Sequence, residues 1–427
     1  MLEYSPVRQS AYYFLLFVLL VLLVPQVGHP GDVGCWSFWA CYMAEHGLGN
    51  VYEDPGNIYN PVYQYILWLY TQFTGNVETI KHYIHFVKAF VLVFDFAGAI
   101  WAASLVTERT RRFELSLLLL LNVGYLYNTL IWQQIDAIYT FWAFGAVVLA
   151  ARQKAVWSAL LYTMALSTKT QAIIFLPPLL LLWAPLWWQR PRRLLEAVGA
   201  SALLLLALLV PFIWGAERSQ LPRMIEMNFG VVDLVPVISA NAFNFWALVA
   251  PDVDLMNTMD SEPFLGLTYK LWGLLLFFSF SAAVLMPLLV HAVRSILRLR
   301  REGRSAAVAP SLPLALLSTG MVPLLFAFFN TQMHERYWHA CILFLAAYGF
   351  LTRRYWPYVV ASVAYFLNLE AVLRFLQLKK YSVLIFHPAF VGGLFGIVIV
   401  LGLVYLYRPV RWRREPALAE APLVEVA

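Results

Sequence analysis

Charge is scarce in this sequence. Asp, Glu, Lys and Arg make up 13% of its 427 residues, while 61% are hydrophobic. An ordinary soluble domain is roughly 25% charged and 45–50% apolar. A chain with so little polar material cannot cover a globular surface, which excludes a soluble enzyme, a disordered chain and a nucleic-acid-binding domain. Cysteine is scarce as well. Cys35, Cys41 and Cys341 are the only three. An odd number with neither CxxC nor metal-ligand spacing excludes a disulfide framework and a zinc module. Cys35 and Cys41 share one connecting stretch and pair if the compartment is oxidising; buried thiols are the plainer reading. A P-loop, a GxGxxG turn, an HExxH helix and any internal repeat are also missing. Asp252-Val-Asp254 is too generic for a metal site. No Asn-x-Ser/Thr sequon occurs, which favours a bacterial or archaeal plasma membrane over the endoplasmic reticulum.

What the sequence does have is long apolar runs. Twelve lie at about 11–27, 82–106, 113–131, 136–151, 155–168, 172–188, 194–214, 266–292, 310–329, 338–352, 355–375 and 385–407. At roughly 20 apolar residues per crossing, this predicts an all-α polytopic membrane protein with about 12 transmembrane helices. The first run ends in Val-Pro-Gln-Val with no small-residue cleavage box, so it is read as a helix rather than a signal peptide.

Basic residues give the orientation. Arg8; Arg109, Arg111 and Arg112; Arg152 and Lys154; Arg190, Arg192 and Arg193; Arg294, Arg298, Arg300, Arg301 and Arg304; Arg353 and Arg354; and Arg408, Arg411, Arg413 and Arg414 fall on every second connection. Together they are twenty of the 30 basic residues. The positive-inside rule makes that side, and with it both termini, cytoplasmic. The net charge of +6 is then orientation and lipid-surface charge rather than a nucleic-acid footprint. Two long loops, 28–81 and 215–265, face the other side. Asp32 to His46 and Pro61 to Phe73 are predicted to be helices lying along the outer membrane surface. Residues 1–414 read as one membrane domain and 415–427 as a short cytoplasmic tail.

Polar clusters collect on the extracytoplasmic side. Asp32 follows the first helix and is either a general base toward a hydroxyl or a loop or helix-capping aspartate, the second being stronger on spacing alone. His334, Glu335, Arg336 and Tyr337 crowd an imidazole, a carboxylate and a cation at a helix end; Arg binds phosphate with a bidentate fork. Lys169 and Gln171 lie in STKTQ, where Lys169 either meets an anion or snorkels to the interface. Gln133, Gln134 and Asp136 form a turn able to hydrogen-bond sugar hydroxyls beside Trp132, or simply a polar turn. Asn244 and Trp246 offer the same chemistry in the second loop, where loop packing is the stronger alternative. Within the membrane, Lys88 and Asp95 sit on roughly one helix face as functional candidates or an ion pair. Glu370 and Arg374 read as a structural i,i+4 pair.

Taken in order, these residues resemble the integral-membrane GT-C glycosyltransferases, specifically the prokaryotic relatives of GPI mannosyltransferase II. They are also similar to the enzymes that use dolichyl- or polyprenyl-phosphate sugars. The matching elements are Asp32, the stretch Gly47-Leu48-Gly49-Asn50-Val51-Tyr52, Tyr59-Asn60-Pro61, Gln133-Gln134-Ile135-Asp136, Thr168-Lys169-Thr170-Gln171 with Leu176-Pro177, Asn244-Phe245-Trp246 and His334-Glu335-Arg336-Tyr337. They span about residues 11 to 352. Gln133 replaces the usual Gly of the first turn, and Asn60 the usual first Pro.

The resemblance implies an inverting hexosyltransferase, a mannosyltransferase above all, drawing on a polyprenyl-phosphate-linked donor from the bilayer. The acceptor is a hydroxyl of a glycolipid or glycan of the cell envelope. Asp32 is then the catalytic base; Lys169, His334 and Arg336 bind the donor phosphate; and Gln134, Asp136, Gln171, Asn244, Trp246 and Glu335 contact sugar or acceptor. A lipid monophosphate leaving group beside protein cations implies no metal and no other cofactor. The alternatives are a lipid or polysaccharide transporter without chemistry, whose marks would be inverted repeats and polar residues at mid-membrane, and a ligase or polymerase using lipid-diphosphate donors.

Overall fold

The computed structural model describes residues 5–23, 28–230, 235–303, 309–381 and 383–408. Asp233, Arg304, Arg411, Arg413, Arg414 and the expected tail 415–427 lie outside them, as do residues 24–27 of the first apolar run. The chain is predominantly helical. Its α-helices are α1 Pro6–Leu23, α2 Pro30–His46, α3 Pro61–Thr74, α4 Val77–Tyr83, α5 Val87–Ser104, α6 Arg109–Leu120, α7 Val123–Tyr127, α8 Asp136–Ala151 and α9 Ala155–Leu166. They continue with α10 Leu176–Gln189, α11 Arg192–Ile213, α12 Leu221–Gly230, α13 Trp246–Val249, α14 Tyr269–Glu302, α15 Leu312–Phe329, α16 His339–Thr352, α17 Trp356–Leu373 and α18 Pro388–Tyr407.

In the described residues each of the twelve apolar runs is helical, although the run 113–131 is split between two helices. By length and composition, seven helices among the described residues are able to cross a membrane: Val77–Ser104, Thr170–Gln189, Arg192–Ile213, Tyr269–Glu302, Leu312–Phe329, Trp356–Leu373 and Pro388–Tyr407. Arg109–Leu120 and Val123–Trp132 make an eighth if the pair, bent by 54°, counts as one span. The first run and α8, α9 and α16 are shorter apolar helices. At about 1.5 Å per residue, the 12 residues of α9 reach only about 18 Å, against a hydrocarbon core of about 30 Å.

The run expected as one helix over 113–131 is broken, and Asn122 is the cause. Its Oδ1 accepts from the Tyr125 amide at 3.2 Å, capping α7, and its amide donates to the Tyr358 and Ser362 hydroxyls at 2.8 Å each. A side-chain cap at this position competes with the continuing helix ladder. The new direction brings the chain against α17, where a Cβ on Gly124 would stand 2.6 Å from the Ser362 carbonyl.

The main core lies among α5, α8, α10, α15, α16 and α17, with α18 alongside. α11 packs along α9 with only 6% of its apolar window fully buried. The first long connection is helical as expected: α2 and α3 pack together with α4 around Trp36, Tyr63 and Leu67 in a second core. The second connection carries α12, α13 and two short strand pairs. β1 (Ser239–Ala240) runs parallel to β4 (Met333–His334), and β2 (Pro263–Phe264) is antiparallel to β3 (Leu267–Thr268). The first pair fixes the segment before α16. Asp260 reinforces it, with Oδ2 accepting from Thr331 Oγ1 at 2.7 Å and Gln332 Nε2 at 2.9 Å.

Candidate functional site

Asp32 sits in the first turn of α2, so it is neither a loop residue nor the cap. The cap is His29, in extended conformation with Pro30 at the first helical position, where a missing N–H costs nothing. His29 Nδ1 lies 3.4 Å from the Asp32 amide nitrogen and 3.2 Å from Asp32 Oδ2. The same carboxylate oxygen accepts from Trp132 Nε1 at 2.9 Å. The His29 ring stacks on Trp132, centroids 5.2 Å apart and planes 7° from parallel. Gly28 permits this close approach: a Cβ there would meet Val33 at 2.4 Å and the Gln133 side chain at 3.0 Å. Burial alone raises the Asp32 pKa. The His29 hydrogen bond, the Arg336 charge, the Trp132 hydrogen bond and the Gln134 amide overcome it and hold the carboxyl well below the usual range.

The Gln133–Asp136 turn is built by a helix that loosens at its end. Residues 128–132 widen into a π-turn, and Gln133 closes it in the left-handed region at φ 67°. Gln133 presents its carbonyl to Trp36 Nε1 at 3.0 Å, while Gln134 Oε1 accepts from the Tyr59 hydroxyl at 3.4 Å. Asp136 is fully buried at the start of α8. Its Oδ1 accepts from Lys169 Nζ at 2.6 Å, and Asn128 Nδ2 lies 3.4 Å from Oδ2.

Lys169 therefore does not snorkel. It is 12% exposed, and its ammonium also faces the rings of Tyr59, Tyr139 and Tyr337 at 5.8, 5.8 and 5.4 Å. Burial lowers its pKa, Asp136 opposes that, and Arg336 adds to it. Asn60 anchors this turn from α3, donating to the Leu166 carbonyl at 2.8 Å, with Thr170 Oγ1 at 3.3 Å.

His334, at the end of β4, leads into the turn Glu335-Arg336-Tyr337. Glu335 is 1% exposed and pairs with Arg336 Nη1 at 3.2 Å. Burial raises the Glu335 pKa, with the Arg336 charge partly offsetting it. Burial pushes the His334 imidazole down to about 3, helped by the Arg336 and Lys169 charges, so His334 is neutral at working pH. Arg336 Nε is buried without a hydrogen-bond partner.

These elements meet at one end of the bundle. A cavity of about 310 Å³ is lined by Tyr59, Lys169, Thr170, Gln171, Gln332, His334, Arg336 and Tyr337, with Ile58 and Val235 at its apolar edge. Asp32 lies close enough for its charge to act on both Arg336 and Lys169. No protein-family model matches the chain, and no curated protein matches it.

Of the expected site residues, Lys169, Gln171, His334 and Arg336 line the cavity, and Asp32 and Gln134 adjoin it. Asp136 and Glu335 instead stand behind it as counter-ions to the two cations. Asn244 and Trp246 are not brought to the site. Both are fully buried; the Asn244 amide donates toward the Ala327 and Asn330 carbonyls at 3.3 and 3.4 Å, and Trp246 Nε1 donates to the Phe329 carbonyl at 3.0 Å. They hold the second loop onto the end of α15 and have no group left for a sugar.

Asp95 faces a partner on another helix rather than Lys88, and the Glu370–Arg374 side-chain pairing does not form. Asp95 Oδ1 lies 3.6 Å from His339 Nε2. Glu370 accepts from Tyr127 Oη at 2.7 Å and the amides of Leu376 and Leu378 at 3.0 and 3.2 Å, because Arg374 turns away at φ 56°. Cys35 and Cys41 are free thiols, Cys35 exposed and Cys41 buried. Among the described residues, no three His, Cys, Asp or Glu side chains come together as a metal-ligand set. His29, Tyr59 and Tyr337 went unassigned from sequence. A histidine three residues before Asp32 at a Pro-initiated helix start was the one available signal.

Proposed function

We propose that this protein is an inverting glycosyltransferase of the GT-C type that moves a hexose, mannose above all, from a polyprenyl-phosphate donor to a glycolipid or glycan hydroxyl. In this reading all twelve apolar runs cross the membrane, both termini are cytoplasmic, and the cavity opens on the extracytoplasmic face of a plasma membrane. The observation that carries it is the meeting of one ionised, partly exposed carboxylate, Asp32, with a cavity holding Lys169 and Arg336. These residues are 137 and 304 positions from Asp32 along the chain.

Asp32 takes the proton of the acceptor hydroxyl while its oxygen attacks the anomeric carbon. The bond from that carbon to the phosphate oxygen breaks, the configuration inverts, and polyprenyl phosphate leaves. The interactions that keep Asp32 ionised also make it a weak base, so proton transfer follows bond formation, when the attacking oxygen has become acidic. The leaving phosphate meets the open Arg336 Nε and the Lys169 ammonium. Because each cation already has a carboxylate partner, the phosphate shares them rather than finding bare charge.

The test is to incubate purified protein with a panel of polyprenyl-phosphate sugars and acceptor glycolipids and measure release of polyprenyl phosphate. Release expected from wild type and lost in Asp32→Asn supports the reading. Undiminished release by Asp32→Asn overturns the assignment of the base, and no release with any donor overturns the activity. Cysteine-accessibility labelling at positions 50 and 111 tests the topology; labelling of both from one side contradicts it.

A further inference from the structure

A second cavity, of about 410 Å³, lies at the other end of α9 and α10. Both helices lead away from the candidate site: Lys169 follows the C-terminal end of α9, and Lys154 precedes its N-terminal end. Twelve helical residues separate these ends by about 18 Å. Lys154, Arg190 and Arg193 converge on the cavity together with one carboxylate, Glu196, and Val156, Trp157, Leu160 and Leu186 form its apolar wall. Arg193 is neutralised by Glu196 at 2.9 Å. Lys154 and Arg190 have no side-chain partner among the described residues.

We infer that this cavity binds a phosphate anion, carried by a phospholipid headgroup or free in solution. Two exposed cations facing one open groove, one of them an Arg with a planar fork, match the charge and geometry of phosphate oxygens. Lining the same space with Trp157, which is 64% exposed, places an amphipathic ring where headgroup meets acyl chain. The neighbouring α11 has few fully buried residues along its apolar length, and Leu195, Val198, Leu203 and Leu206 are exposed on it, so an acyl chain has an apolar surface to follow from the cavity. Basic pockets between membrane helices bind anionic headgroups on these grounds.

The experiment uses the delipidated full-length protein in neutral detergent. Dioleoyl phosphatidylglycerol, dioleoyl phosphatidylcholine and inorganic phosphate are titrated separately, with the thermal midpoint as readout. Phosphatidylglycerol is expected to raise the midpoint and phosphatidylcholine to leave it unchanged. Lys154→Gln with Arg190→Gln is expected to weaken that binding about tenfold or more, from loss of two charge-assisted contacts. Both residues are exposed, so the ligand-free midpoint serves as the folding control. Arg294→Gln with Arg298→Gln, basic positions outside the cavity, is expected to bind as wild type does. A response to phosphatidylglycerol alone assigns the lipid source. An equal response to inorganic phosphate, lost in the same double variant, assigns the soluble one. No response to either anion, or a response that survives Lys154→Gln with Arg190→Gln, overturns the inference. No glycosyl transfer is read, so failure here and failure of the proposed activity are separate results.

Discussion

His29 Nδ1 stands 3.2 Å from Asp32 Oδ2, and the imidazole is held there by stacking on Trp132, which itself donates to the same carboxylate oxygen at 2.9 Å. One aromatic ring thus fixes both members of the pair. A ring nitrogen facing both an amide N–H and a carboxylate can serve only one at a time. Neutral at Nδ1, it accepts from the Asp32 amide; protonated, it donates to the carboxylate.

That pair predicts a pH dependence. The Asp32 hydrogen bond raises the His29 pKa, with partial burial opposing it. A raised histidine stabilises the fold fully below its unfolded pKa of about 6.5 and loses the effect as pH rises through the folded value. Asp32 is depressed, so its contribution is present above about 3.9 and lost as pH falls toward the folded value. His29→Gln is therefore expected to lower the thermal midpoint more at pH 5.5 than at pH 8.5. Equal shifts at both pH values would show that the ion pair contributes nothing beyond packing.

Asp32→Asn preserves shape and the Trp132 hydrogen bond but removes the proton acceptor. Turnover is expected to fall by about 10²–10⁴-fold, with the fold and donor binding retained and the thermal midpoint lowered by loss of the charge that pairs with His29. Release of polyprenyl phosphate, measured beside circular dichroism, separates this from unfolding.

Lys169 and Asp136 are a buried pair, so breaking one side strands the other. Asp136→Leu and Lys169→Met are each expected to cost about 3–5 kcal/mol of stability, and the two together considerably less than the sum. Unfolding in denaturing detergent measures the difference. Additive losses would mean that the two side chains act independently.

Arg336→Lys keeps the charge and loses the fork with its open Nε. Binding of polyprenyl phosphate is expected to weaken about tenfold, with the midpoint less affected than in Arg336→Ala, which leaves Glu335 buried and unpaired. Titration of purified variants with polyprenyl phosphate checks this.

Trp246→Phe removes one buried donor from the Phe329 carbonyl. A loss of about 1–3 kcal/mol in stability is expected, with acceptor affinity unchanged per folded molecule. A raised acceptor KM at wild-type stability would return Trp246 to the site.

Composition and hydropathy were sufficient for the helices. Apolar runs of 14 to 27 residues have no other way to satisfy their backbone in an apolar environment, and each is helical in the described residues, one of them broken in two. The breaks were harder to see. Asn122 reads as one polar residue in the run 113–131; that it caps a new helix depends on Tyr358 and Ser362, more than 230 positions away. The cavity residues were legible as separate polar clusters because ionisable groups are rare in so apolar a chain. Their partners were not: that Asp136 neutralises Lys169 and that Asn244 closes on the Ala327 and Asn330 carbonyls are contacts between segments far apart in the chain. The sequence by itself determined that the chain is helical, that it is built for an apolar environment and that its polar groups gather at few places. Which of those groups face an open cavity and which are spent on one another was decided only by tertiary packing, because a buried charge or amide must find its partner in space and local sequence does not say which one is in reach.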